Sequence, residues 1–167
     1  TGVRVGWSFG PENIINKMKS ILGHVGAWSP KAEQVATTHF LNNKPAVDAY
    51  LSWIKTALQQ RFDAFYKGFM ELKNEGYGVD AIDPQAAIYL AIKFNLKGKK
   101  TADGQLLLTT DDVTSYILNE AGFAVVPFFA FGSPRESDWF RLSVGTSKLE
   151  DIPNVFDRLR NALKKLS

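Results

Sequence analysis

The sequence predicts an α+β protein in which a small, largely antiparallel sheet is covered by helices. Three observations predict it. From Pro84 onward the apolar patterning reads strand, helix, strand, strand, helix. Ahead of that stretch, apolar residues between Pro45 and about Asn74 recur every three or four positions, the period of one long helix. The composition, 45% hydrophobic and 13% aromatic over 167 residues, provides enough apolar surface to offset the entropy of ordering the chain.

Taken in order, Val3, Val5, Trp7 and Phe9 alternate with Arg4, Gly6 and Ser8, the pattern of a strand ended by Gly10-Pro11. Such a strand needs neighbours, which are either supplied later in the chain or belong to an upstream segment. Pro11 suits the first turn of a helix, in which Ile14, Ile15, Met18, Ile21 and Leu22 form a stripe up to a break at Gly23. Ser29-Pro30 is a second cap-like start, with Ala32, Val35, Ala36, Phe40 and Leu41 as the buried stripe until Asn42-Asn43. The long helix follows, carrying Val47, Leu51, Ile54, Leu58, Phe62, Phe65, Phe69 and Leu72; it is a rod of about 45 Å, long enough to span two structural units. Gly76 and Gly78 end it.

Asp83-Pro84 opens a strand from Ala86 to Leu96, in which Tyr89, Ala91 and Lys93 alternate with the more apolar Leu90, Ile92 and Phe94. Lys97 to Gly104 is a polar loop. Thr110-Asp-Asp-Val caps a helix that runs to Gly122, its acidic first turn complementing the helix dipole. Phe123 to Pro127 and Trp139 to Val144 read as strands on either side of an apolar turn segment. Ser147-Lys-Leu-Glu150 has the form of a capping box, although Pro153 lets the regular helix begin later, and a final amphipathic helix follows with Val155, Leu159, Ala162, Leu163 and Leu166 facing inward.

Composition excludes several classes of function. The 20 basic and 17 acidic residues leave a net charge of +3 spread over the chain, which argues against a nucleic-acid partner. The uncharged run from Ala121 to Gly132 is too short to cross a bilayer and contains Pro127, so no membrane span is expected. There is no cysteine, hence no disulfide framework, and the cytoplasm is the default localisation. No initiator Met or signal-peptide pattern is present at Thr1, and the chain reads as starting mid-protein. No metal-ligand spacing, nucleophile elbow, P-loop or dinucleotide fingerprint occurs, and the expected metal content is none. His24 and His39 stand alone and read as structural.

Two arginines interrupt otherwise apolar strands: Arg4, between Val3 and Val5, and Arg141, between Phe140 and Leu142. Neither has an acidic neighbour at adjacent strand positions. Each guanidinium therefore either points out to a solvated face or meets an external anion.

At these positions the sequence resembles a known family. Thr1-Gly2-Val3-Arg4-Val5-Gly6 is similar to the T-G-x-R-x-G segment of the fold-type I, class I/II aminotransferases, the aspartate aminotransferase-like pyridoxal phosphate enzymes. Pro84 to Tyr89 resembles their P-x-G-A-x-Y strand opening, with Ala86 in place of the glycine. Gly122 to Pro127 with Phe131-Gly132 resembles the G-V-x-V-x-P-G-x-x-F-G run, and Phe140-Arg141-Leu142-Ser143 the late [YFV]-R-[LI]-S strand. Order and spacing agree over nearly the whole chain.

The resemblance implies the small C-terminal domain of the α/β pyridoxal-phosphate-dependent transferase fold, together with one strand and helices from the end of the large domain. On that basis residues 1–44 are a remnant of the large cofactor-binding domain, 45–75 an interdomain helix and 76–167 the small domain. It implies pyridoxal 5'-phosphate as cofactor, Arg4 on the cofactor phosphate and Arg141 on the substrate α-carboxylate, both suited to a guanidinium fork. The Schiff-base lysine is expected about five residues before Thr1, so no catalytic residue lies in this chain and the chain alone is expected to be inactive. The implied partners are an amino acid, a 2-oxo acid, the N-terminal large domain and a second subunit. Gly23 to Pro30 departs from the family's S-N-P-type turn and has no arginine, leaving His24 and Trp28 either to line the pocket or to pack between helices. An amino-acid transaminase part, a lyase or decarboxylase relative, and a stand-alone binding domain all remain open.

Overall fold

The computed structural model describes residues 2–167. Thr1, the first residue of the segment that carries the family likeness, lies outside them. The chain divides into two units, one reaching Ile54 and the other Lys55–Ser167.

In the first unit, residues 3–9 join no ladder among the described residues, so the strand expected there does not form. Its alternation is broken at Arg4, whose φ of 55° is left-handed, and a lone strand has nothing to satisfy its backbone groups. Helix α1 (Glu12–Val25) starts after Pro11 and passes through Gly23, which a helix tolerates at a cost of about 1 kcal/mol. The stop is Gly26, at φ 72°, whose N–H bonds the Leu22 carbonyl. Helix α2 (Lys31–Asn42) follows Pro30 without the side-chain cap expected of Ser29. No residue of α1 or α2 is buried, so the stripe expected to be buried in α2 lies open; Phe40, for example, is 41% exposed. Helix α3 (Lys44–Asn74) begins with Asn43 accepting the Ala46 N–H through Oδ1 at 3.3 Å, and Pro45 sits in the first turn, where its missing N–H costs nothing.

The second unit holds the core. Phe62, Phe65, Phe69 and Leu72 on the C-terminal part of α3 are buried, as their spacing predicts. Gly68 lies among them because a Cβ there would stand 2.3 Å from the Phe156 ring. Beyond α3 comes β1 (Val79–Ala81), a strand too short for the sequence pattern to announce. It heads a four-stranded antiparallel sheet of order β1-β2-β4-β3, with β2 Tyr89–Phe94, β3 Val126–Pro127 and β4 Trp139–Ser143. The ladder in β2 starts three residues later than expected, because Ala87 turns the chain at φ 66°. In the Phe123–Pro127 segment only the last two residues pair with β4.

One face of the sheet is dry. Leu90, Ile92, Phe94, Phe140 and Leu142 are buried, and Phe94 meets Phe69, Phe123 and Phe140 at centroid separations of 5.7–6.5 Å. Helix α4 (Thr110–Ala121) is capped by Thr109, one residue before the expected Thr110, and ends at Gly122 in the left-handed region. Helix α5 (Ile152–Lys164) follows a 3₁₀ turn, Leu149–Asp151, and the capping box expected at Ser147 is not formed, since the turn begins after Lys148. Phe156, absent from the expected inward stripe, is buried in α5 beside Leu159 and Leu163. The buried Tyr116 hydroxyl of α4 donates to the Ala162 carbonyl at 2.7 Å, locking α4 to α5. Leaving that buried hydroxyl without a partner would cost about 1–3 kcal/mol.

Candidate functional site

The other face of the sheet presents Tyr89, Ala91 and Lys93 from β2 with Trp139 and Arg141 from β4. Strand alternation puts them there, because their neighbours Leu90, Ile92, Phe140 and Leu142 take the buried face. Arg141 is half-buried at the middle of β4. Its register partners are Ala91 on β2 and Val126 on β3, neither charged. In place of a carboxylate it meets two aromatic rings: the guanidinium carbon lies 4.2 Å from the Tyr89 centroid and 3.9 Å from that of Phe131.

The other arginines of this unit set the comparison. Arg61 donates to the carbonyls of Ser147 and Ala57, Arg158 to that of Ala121, Arg160 holds Glu75 through Nε at 2.8 Å, and Arg135 lies 3.6 Å from Asp111. The Arg160 contact holds the Glu75 carboxyl below its ordinary 4.5. Lys97, expected in a solvated loop, is paired with Asp138 at 2.8 Å. Arg141 alone among these arginines makes no hydrogen bond or ion pair among the described residues, although it is not fully exposed to water. A half-desolvated guanidinium whose N–H donors are not taken up by protein acceptors has the chemistry to bind an anion.

Arg4 belongs to the other unit. It is exposed, makes no hydrogen bond or ion pair among the described residues, and lies between Gly2 and Gly6, where an added Cβ would meet nothing within 4 Å. His24 and Trp28, also in that unit, border one recess of about 570 Å³ with Asn16, Lys19, Ser20 and Gly23. His24 Nδ1 lies 2.8 Å from the Ser20 carbonyl, within hydrogen-bond distance, and Trp28 comes to 3.7 Å from the position of a Cβ on Gly23. Among the described residues no group of three or more His, Cys, Asp or Glu side chains is placed to hold a metal ion. No described helix is long and apolar enough to cross a membrane.

Tyr89 and Phe131 are the residues that sequence reasoning missed. Both fall inside the motifs quoted for the family likeness, but only the register of β2 against β4 and the turn after β3 put their rings on Arg141.

The class of protein follows from the match to a family model: the chain belongs to the class I and II aminotransferase family, whose model matches residues 1–159. The antiparallel sheet with its helices is the small C-terminal domain of that fold. Among individual relatives, the aspartate aminotransferase of Rhizobium meliloti (strain 1021) is 29% identical over 168 residues, covering 100% of this chain and 38% of the relative. A probable aspartate/prephenate aminotransferase of Rickettsia bellii is 29% identical, covering 99% of this chain and 39% of its own length. The crystal structure of the Rhizobium meliloti aspartate aminotransferase matches with a TM-score of 0.76 at 29% identity, over 99% of this chain and 39% of that one. An aromatic aminotransferase from Pyrococcus horikoshii has the same fold, with a TM-score of 0.75 at 24% identity, over 98% of this chain and 39% of that one. The chain thus spans less than two fifths of the length of these relatives.

Proposed function

We propose that the protein to which this chain belongs transfers an amino group between an amino acid and a 2-oxo acid with pyridoxal 5'-phosphate, and that this chain contributes two anion grips. The observation that carries the reading is Arg141, half-buried on an apolar sheet without a carboxylate, in a chain of the aminotransferase family. Arg141 holds the substrate α-carboxylate. The charge-assisted pair binds the substrate and, being two-pronged, fixes the position and plane of its carboxylate, one of the two anchors needed to present the bonds at Cα in one orientation.

Arg4 holds the cofactor phosphate. Its donor set fits: a planar cation with five N–H groups and no competing carboxylate matches a phosphate dianion. When bound, the cofactor supplies the electron sink for chemistry at Cα. On the same reading, residues 1–44 belong to a large domain, 45–75 form the connecting helix and 76–167 the small domain. A homodimer working in the cytoplasm completes it. The 167 residues alone lack the Schiff-base lysine that the family likeness assigns ahead of Thr1, and are expected to be inert.

The test is isotope transfer. Intact protein loaded with pyridoxal phosphate, given a 15N-labelled amino acid and a second 2-oxo acid, should yield the labelled second amino acid, while the 167-residue chain yields none. Release of ammonia or carbon dioxide without transfer would move the protein to the lyases or decarboxylases.

A further inference from the structure

We propose that Tyr89 and Phe131 are positioning residues that hold the Arg141 guanidinium ready for a carboxylate; the proposal rests on the carboxylate role given above to Arg141. Strand order brings the rings from opposite flanks: Tyr89 opens β2 on one side of β4, and Phe131 ends the 3₁₀ turn Phe128–Phe131 that follows β3 on the other. Tyr89 pairs with Ser143, one step diagonal to Arg141, within reach of a long side chain. The turn that presents Phe131 is closed by Gly132 at φ 92°, a conformation that other residues rarely adopt.

Burial does not account for these rings. Tyr89 is 40% and Phe131 54% exposed, whereas Phe94 and Phe140 on the dry side are fully covered. Their common neighbour is the guanidinium. A ring attracts a cation through its π-face and takes up none of its N–H protons in strong hydrogen bonds. A carboxylate in the same place would fix the side chain but also neutralise it and occupy its donors. The rings therefore solve a problem that an ion pair cannot: they restrict a side chain rich in rotamers while leaving its charge and its donors for the substrate.

Two measurements test this. In the intact, cofactor-loaded enzyme, the dissociation constant of a plain carboxylate, 3-phenylpropanoate, is read by titration calorimetry, with cofactor retention measured alongside. Phe131→Leu and Tyr89→Leu should each weaken carboxylate binding by about three- to tenfold, the range expected for losing one such ring contact, and leave cofactor retention unchanged. Tyr89→Phe, which keeps the ring, should bind as the parent does, and Phe131→Leu should add little once Arg141 is Lys. Parent-like binding by both Leu variants, or equal loss in Tyr89→Phe and Tyr89→Leu, overturns the clamp while the grip by Arg141 stands. If Arg141→Lys itself leaves carboxylate affinity unchanged, the grip fails and the clamp with it. Independently of any variant, 15N relaxation of the arginine Nε–H groups in the intact, substrate-free enzyme should find Arg141 as rigid as the β4 backbone amides. Mobility well above that of those amides overturns the proposal.

Discussion

At Gly68 the lack of a side chain is a packing requirement. The Phe156 ring occupies the volume a Cβ would take, at 2.3 Å, and the same ring meets Phe69 edge-to-face and Phe65 at a tilt, with centroids 5.3 and 5.9 Å away. The ring cannot swing aside without displacing two more. Gly68→Ala, otherwise favoured within a helix, should therefore lose about 1–3 kcal/mol of unfolding free energy in a denaturant titration. An unchanged or higher midpoint would show that the cluster yields. Arg141 illustrates how far one residue can be read from sequence: its apolar neighbours and absent counter-ion were visible in Phe140-Arg141-Leu142. Its two rings were not, because each reaches it through a pairing between distant segments. For Arg4 the neighbours were legible and the backbone was not, since alternation predicts an extended residue and the chain turns there.

Helix α4 shows how a terminus is fixed by two side chains. The Thr109 hydroxyl oxygen accepts the Asp112 N–H at 3.1 Å, and Asp112 Oδ2 accepts the N–H groups of Thr109 at 2.8 Å and Leu108 at 3.0 Å. The Thr109 N–H foremost, then the Thr109 hydroxyl and the Leu108 N–H, hold the Asp112 carboxyl below its ordinary 3.8. A lowered folded-state value means that the ionised carboxylate favours the folded state. That contribution is complete above about pH 4 and is lost as the pH falls through the lowered value. Unfolding free energies at pH 6 and pH 3 should accordingly differ less in Asp112→Asn than in the parent; an equal difference would remove this carboxylate from the acid response. The sequence placed the cap one residue late because Thr109 and Thr110 are adjacent, although only Thr109 has an acid three residues on. Long periodic elements such as α3 were legible for the opposite reason: many positions repeat the same signal. The short β1 carries no such redundancy, and the Ser147 box failed because a 3₁₀ turn took its place.

For the whole molecule, the buried hydrophobic residues all lie from Phe62 onward, in the unit Lys55–Ser167, whereas α1 and α2 bury none. The apolar stripes of those helices were legible as stripes, but periodicity alone does not say whether a stripe is covered, and here neither is buried. The proposed roles divide in the same way. Arg4 stands in one unit and Arg141 in the other, each without an anionic partner among the described residues, and the proposed reaction gives them different anions. The most direct measurement is a pair of dissociation constants, for pyridoxal phosphate and for a 2-oxo acid, in intact enzyme carrying Arg4→Ala or Arg141→Lys. The account predicts that Arg4→Ala loosens the cofactor with little change for the 2-oxo acid in cofactor-saturated enzyme, and that Arg141→Lys weakens the 2-oxo acid by at least about tenfold with the cofactor retained. Both ligands weakened alike by either substitution would contradict it.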